Sequence, residues 1–161
     1  MRDNIRMNVS TTARAIASAR IAAGVIFLCA GFAKVTGSFV TMGFLKSAVR
    51  MSHEGFPFWR PFLDRVVVWH PAPFAWAVAA GELAIGLSLV SGLFARWASV
   101  CGFLMMLAIG LGQAWPPPGA PWHEYVTRWL TPGAYAMLFA IFAASDAGRL
   151  WGLDAWRGRR R

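Results

Sequence analysis

A chain of 161 residues that is 57% hydrophobic and only 14% charged is not an ordinary soluble domain, because such domains draw about a quarter of their residues from Asp, Glu, Lys and Arg. The net charge of +9 does not make it a nucleic-acid binder either, since the basic residues are scattered around apolar spans and cluster only in the tail "RGRRR". Composition assigns the chain to a membrane and turns each ionisable residue inside an apolar run into a question.

The first predicted span covers about residues 15–37. Four arginines (Arg2, Arg6, Arg14 and Arg20) precede an apolar core of thirteen residues, 21–33, close to the length of a signal-peptide core. Ile26, Phe27 and Leu28 are too bulky for a lipoprotein cleavage box before Cys29, and apolar character resumes after Lys34, so the segment reads as a signal anchor. Thirteen helical residues rise about 20 Å in a hydrocarbon layer roughly 30 Å thick, so Arg20 or Lys34 must lie within that depth or snorkel out of it. Arg20, Gly24, Phe27, Gly31 and Lys34 recur at intervals of three and four. They predict one helix face turned toward protein, with small residues for close approach and both cations along the bundle.

The connection over residues 38–70 contains "GFPFWRPFLDRVVVW", a mixture of aromatic rings and arginine suited to headgroup depth. It is expected to lie externally as an interfacial cap, with Phe56, Phe58, Trp59 and Phe62 forming an exposed aromatic patch for lipid or a partner. A second span, about 72–94, falls in a stretch of twenty-five residues between His70 and Arg96 whose only charge is Glu82. A tight turn leads to a third span, about 97–115, which ends where Pro116, Pro117 and Pro118 cannot donate to a helix. The fourth, about 129–147, has Pro132 in its first turn, and Asp146 and Arg149 mark its exit.

Four spans put both termini on one side. That side carries ten Lys and Arg residues against five on the other, which predicts cytoplasmic termini. The expected fold is all-α: a single-domain integral membrane four-helix bundle running up-down-up-down, with the external interfacial segment between helices 1 and 2.

Glu82 lies near mid-span, where an unpaired charge costs at least ~2.5 kcal/mol. Lys34 and Arg20 are its available partners, and Arg96 at the following turn completes the candidate intramembrane polar site. A buried pair that fixes register and a proton or ligand site are both compatible with this pattern. Gly24, Gly31, Gly81 and Gly86 are read as packing residues, Gly81 within a stripe of Ala77, Ala84 and Ser88. Gln113 and Trp115, near the outer end of the third span, suit a headgroup or a quinone carbonyl as well as interface anchoring.

Cys29 and Cys101 form no CxxC or haem-attachment motif. His53, His70 and His123 have no spacing that demands a metal site, so none is expected. The sequence contains no nucleophile with its base, phosphate loop or cofactor fingerprint.

The segments "RIAAGVIFLCAGFAKVTG" and "GELAIGLSLVSGLFARWASVCGFLMMLAIG" resemble the DoxX family of small four-helix bacterial membrane proteins, from Arg20 to about Gln113. The matching positions are Gly24, Phe27, Gly31, Lys34, Glu82, Gly86, Gly92 and Arg96. The external aromatic segment is longer than the family pattern suggests. The resemblance implies a multi-pass subunit of the bacterial inner membrane placed near quinone or near a redox partner, and does not make the chain a catalyst; any part in a reaction would be as the membrane subunit of an oxidoreductase complex. The first reading is a subunit of such a redox-associated complex that docks a protein partner at its outer face. No intrinsic cofactor is implied, though quinone is a possible ligand. Expected partners are the lipid bilayer and a protein partner or further copies of the chain. Two other classes stay open: a small oligomeric transporter or permeation unit using Glu82 and Lys34, and a non-catalytic membrane scaffold.

Overall fold

The computed structural model describes residues 2–113, 115–145, 148 and 151–154, with side chains from residue 11 onward. Asp146, Arg149, the "RGRRR" tail and the side chains of Arg2 and Arg6, all used in the topology reading, lie outside it.

Six α-helices follow in chain order, and no strand occurs among the described residues. Helix α1 (Arg2–Thr36) ends where Gly37 N donates to Ala33 O. After a π-helical turn at Phe39–Gly43 come α2 (Phe44–Glu54), the short α3 (Arg60–Phe62) and a second π-helical turn at Leu63–Val67. Then follow α4 (Pro71–Ser91), α5 (Ala95–Gln113) and α6 (Trp122–Ala144). Pro71 starts α4 without losing an intrahelical bond, because the first turn's N–H groups have no partner there. Gly92, with φ 68°, supplies the left-handed residue that ends it.

Among the described residues three segments are long and apolar enough to cross a membrane: Thr11–Thr36, Pro71–Ser91 and Ala95–Gln113. Helix α6 has 23 residues, about 35 Å at helical rise, but its first turns carry His123, Glu124 and Arg128. It also begins well before the expected residue 129, because extended Pro121 acts as its N-cap. Pro132 consequently falls in mid-helix rather than in the first turn.

The glycines show how the helices meet. A Cβ on Gly24 would stand 2.8 Å from Val90 N, and one on Gly31 would stand 2.9 Å from Leu83 N. As α1 ascends, its neighbours on α4 descend, so the two helices are antiparallel and almost in backbone contact. The same reading of Gly102 under Phe139 and Gly110 under Trp129 makes α5 and α6 antiparallel. Phe27, Ile85, Leu89, Met106, Phe139 and Phe142 fill the space between these pairs, with the Phe27 and Phe139 rings edge-on at 5.1 Å. In lipid such a core holds by close packing, because the tails are as apolar as the side chains.

Residues 38–70 fold into a cap across the ends of α4 and α5. Helix α2 buries Phe44, Ala48 and Ser52 at intervals of four, the amphipathic signature of a helix lying on a surface. Phe44 and Ala48 join Leu63, Val67 and Ala75 in a second apolar cluster. The opposite end of the assembly is the hairpin from Gly92 to Ala95.

Candidate functional site

Side chains on a helix tilt toward its N-terminus. In an antiparallel pair this tips Lys34, near the end of α1, back toward the helix middle, while Glu82 on α4 leans toward the cap. They meet: Lys34 Nζ donates to Glu82 Oε1 at 2.7 Å and to Oε2 at 2.5 Å. The Lys34 side chain keeps 25% exposure and Glu82 only 7%. Phe39 at the start of the cap places its ring centroid 5.3 Å from Nζ, within cation–π range. Helix α1 ends two residues past Lys34, at Thr36, and the lysine stem spans the remaining difference in depth.

The other two cations of the expected polar site are elsewhere. Arg20 is fully buried at the hairpin end, where Nη2 donates to Trp151 O at 3.2 Å. Fourteen residues separate it from Lys34, about 21 Å along the helix, so it shares a face with Lys34 but does not compete for Glu82. Arg96 is exposed in the first turn of α5. The expected constellation therefore resolves into one ion pair and two separate arginines.

Asp154 organises the hairpin end and is not among the candidates the sequence offered. Its carboxylate accepts from Phe94 N at 3.1 Å and Ala95 N at 3.3 Å, capping α5 where the local turn supplies no Ser, Thr or Asn. Leu153 N and Asp154 N donate to Ser91 O and Gly92 O, and the Asp154 charge also acts on Arg20. The chain's C-terminal part thus clasps the α4–α5 turn. A helix beginning at Ala95 without a local cap is the one hint that a distant acid was required.

The packing face of α4 is Ala75, Ala79, Glu82, Gly86 and Leu89. Ala77 and Ala84 are exposed, and Gly81 faces Met105 of α5 instead of α1. The small-residue stripe through Ala77 and Ala84 is therefore not the interface with α1; Gly86 is the α4 glycine that meets the α1 backbone, opposite Gly24 and Leu28.

At the cap end, Gln113 closes α5 half-buried. Trp115 lies between Phe56 at 4.8 Å and Tyr125 at 5.7 Å. The four aromatic residues expected to form one exposed patch divide. Phe56 turns inward against Trp115 and Trp129 because Phe56 N is bound to Leu111 O at 2.8 Å. Trp59 is half-buried and packs on Phe62, whereas Phe58 at 66% and Phe62 at 38% exposure point outward.

Among the described residues no group of His, Cys, Asp and Glu able to hold a metal ion comes together. Cys29 and Cys101 are free and exposed.

No curated protein and no solved structure matches the chain. The DoxX family profile matches residues 15–113, from α1 through the ion pair, the cap and the hairpin to the end of α5. With most of its length covered by that match, this membrane protein belongs to the DoxX family.

Proposed function

We propose that the chain is a four-span subunit of the bacterial inner membrane, with both termini cytoplasmic, that docks a redox partner on its outer face. The observation that supports this most directly is the cap: a folded element with its own apolar cluster that turns Phe58 and Phe62 outward. A free connection of this length would not need a core. Support for α6 as the fourth span comes from its antiparallel register on α5 and from the excess of Lys and Arg on the terminal side.

Support for a quinone ligand comes from an apolar groove on α6, about 520 Å³, lined by Tyr125, Trp129, Leu130, Gly133 and Met137. Its lining is almost wholly apolar, which suits the ring and hydrocarbon tail of a quinone. A permeation path built on Lys34 and Glu82 is the weaker reading, because the two charges already neutralise each other in contact.

Affinity purification in mild detergent, with mass spectrometry of proteins and extracted quinone, tests the proposal. The parent chain should bring down a partner with an exported redox domain, and Phe58→Ser combined with Phe62→Ser should lower its recovery about tenfold without affecting insertion, as expected when two interface anchors are lost. Unchanged recovery with the double variant would remove the docking role and leave a scaffold anchored by its aromatic rings.

A further inference from the structure

Two cavities of about 350 Å³ each open beside the cap and share His53 and Arg60 as a common wall. Arg65 and Asp64 line the first, and Arg128, Glu54 and Trp115 line the second. Three arginines therefore face two carboxylates, with a histidine between them.

Arg60 is the best organised of these groups. Its Nε donates to Gly55 O at 2.7 Å, which fixes the plane of the guanidinium. Gly55 is itself held fast: a Cβ there would stand 2.7 Å from Met51 O and 3.1 Å from Leu111 O, so the loop is wedged between the ends of α2 and α5. The Nη groups of Arg60 have no acceptor among the described residues, and this half-buried fork is therefore set with its donors unused. Arg128 Nη1 lies 4.0 Å from Glu54 Oε2, too far for a hydrogen bond. It also keeps donor capacity.

Two guanidinium groups with spare donors, beside a wall of Trp115 and buried Pro116, form a site for an oxyanion, which accepts bidentate bonds from such forks and loses less to water where one wall is apolar. We propose that this cleft binds a phosphoryl group, with Arg60 as the fixed donor and Arg128 as the second cation. The ligand is either the headgroup of an anionic phospholipid or free phosphate, and both present the same tetrahedral oxygens.

The test uses the full chain in detergent, with and without delipidation. In one arm, inorganic phosphate is titrated at constant ionic strength against chloride while thermal unfolding is followed. In the other, native mass spectrometry scores retention of phosphatidylglycerol. Binding of free phosphate raises the unfolding midpoint where chloride does not. A headgroup site instead retains about one phosphatidylglycerol per chain and gives no response to phosphate. In either case Arg60→Gln and Arg128→Gln each weaken the response about tenfold, the loss expected for one charge-assisted hydrogen bond. Arg128→Gln keeps the test decisive if Arg60→Gln fails to fold, because Arg128 anchors no loop. Equal responses to phosphate and chloride without lipid retention, or full responses in a folded Arg128→Gln variant, would overturn the proposal.

Discussion

Lys34→Met and Glu82→Gln should each sharply reduce the amount of folded protein recovered from the membrane, and the double variant should restore it. Both partners of the pair sit at the junction of α1 and α4, with Nζ in contact with both carboxylate oxygens. Desolvation makes such a pair a poor source of net stability, but removing one member leaves a charge that nothing offsets, at a cost of ~3–5 kcal/mol. The two single losses should differ. Lys34→Met strands the more deeply buried group, whereas Glu82→Gln leaves a lysine that is a quarter exposed and can swing outward along its stem. Lys34→Met is therefore the more damaging. Quantitative immunoblotting of membranes, with unfolding in mixed micelles, measures both. If the double variant accumulates but has lost partner recovery, the pair also serves function. If the single variants match the parent in both assays, the pair stabilises nothing.

Gly86→Ala should destabilise the protein by about 1–3 kcal/mol, the range for overpacking a closely fitted interior. A methyl group there would stand 2.7 Å from Leu28 N and 2.8 Å from Gly24 O. Those are backbone atoms of α1 and cannot turn aside, so the helices must separate. Alanine is otherwise favoured over glycine in a helix by roughly 0.5–1 kcal/mol, which gives the experiment a control of opposite sign. At Gly133 the added carbon meets only Trp129 Cε3 at 3.9 Å, and Gly133→Ala should be neutral or stabilising. A tolerated Gly86→Ala, seen as an unchanged midpoint in mixed-micelle unfolding, would mean that α1 and α4 are not in backbone contact.

The sequence made faces legible more readily than depths. The recurrence of Arg20, Gly24, Phe27, Gly31 and Lys34 encodes one side of α1, because helical periodicity is written directly into residue spacing. The same periodicity says nothing about which residue of a neighbouring helix stands at the same level. Arg20 was therefore a candidate for Glu82, although about 21 Å of helix separates it from Lys34. On α4, apolar character all round left no polar side to orient the helix, and the stripe through Ala77 and Ala84 looked as good as the face actually used. The start of α6 was obscured by charged residues, His123 to Arg128 being read as loop where tertiary packing makes helix. The role of Asp154 and the inward turn of Phe56 escaped the sequence for a common reason: each is set by a hydrogen bond between residues far apart in the chain.

The side on which the chain ends is the most direct test of the four-span arrangement on which the docking role depends. Three segments are apolar enough to cross on composition alone, and three crossings would leave the termini on opposite sides. With α6 as a fourth span they share the cytoplasm. Alkaline phosphatase fused after Arg157 should then be inactive, whereas the same reporter inserted at Gly119, an open turn with nothing within 4 Å of its added carbon, should be active. An active fusion after Arg157 would contradict the four-span arrangement.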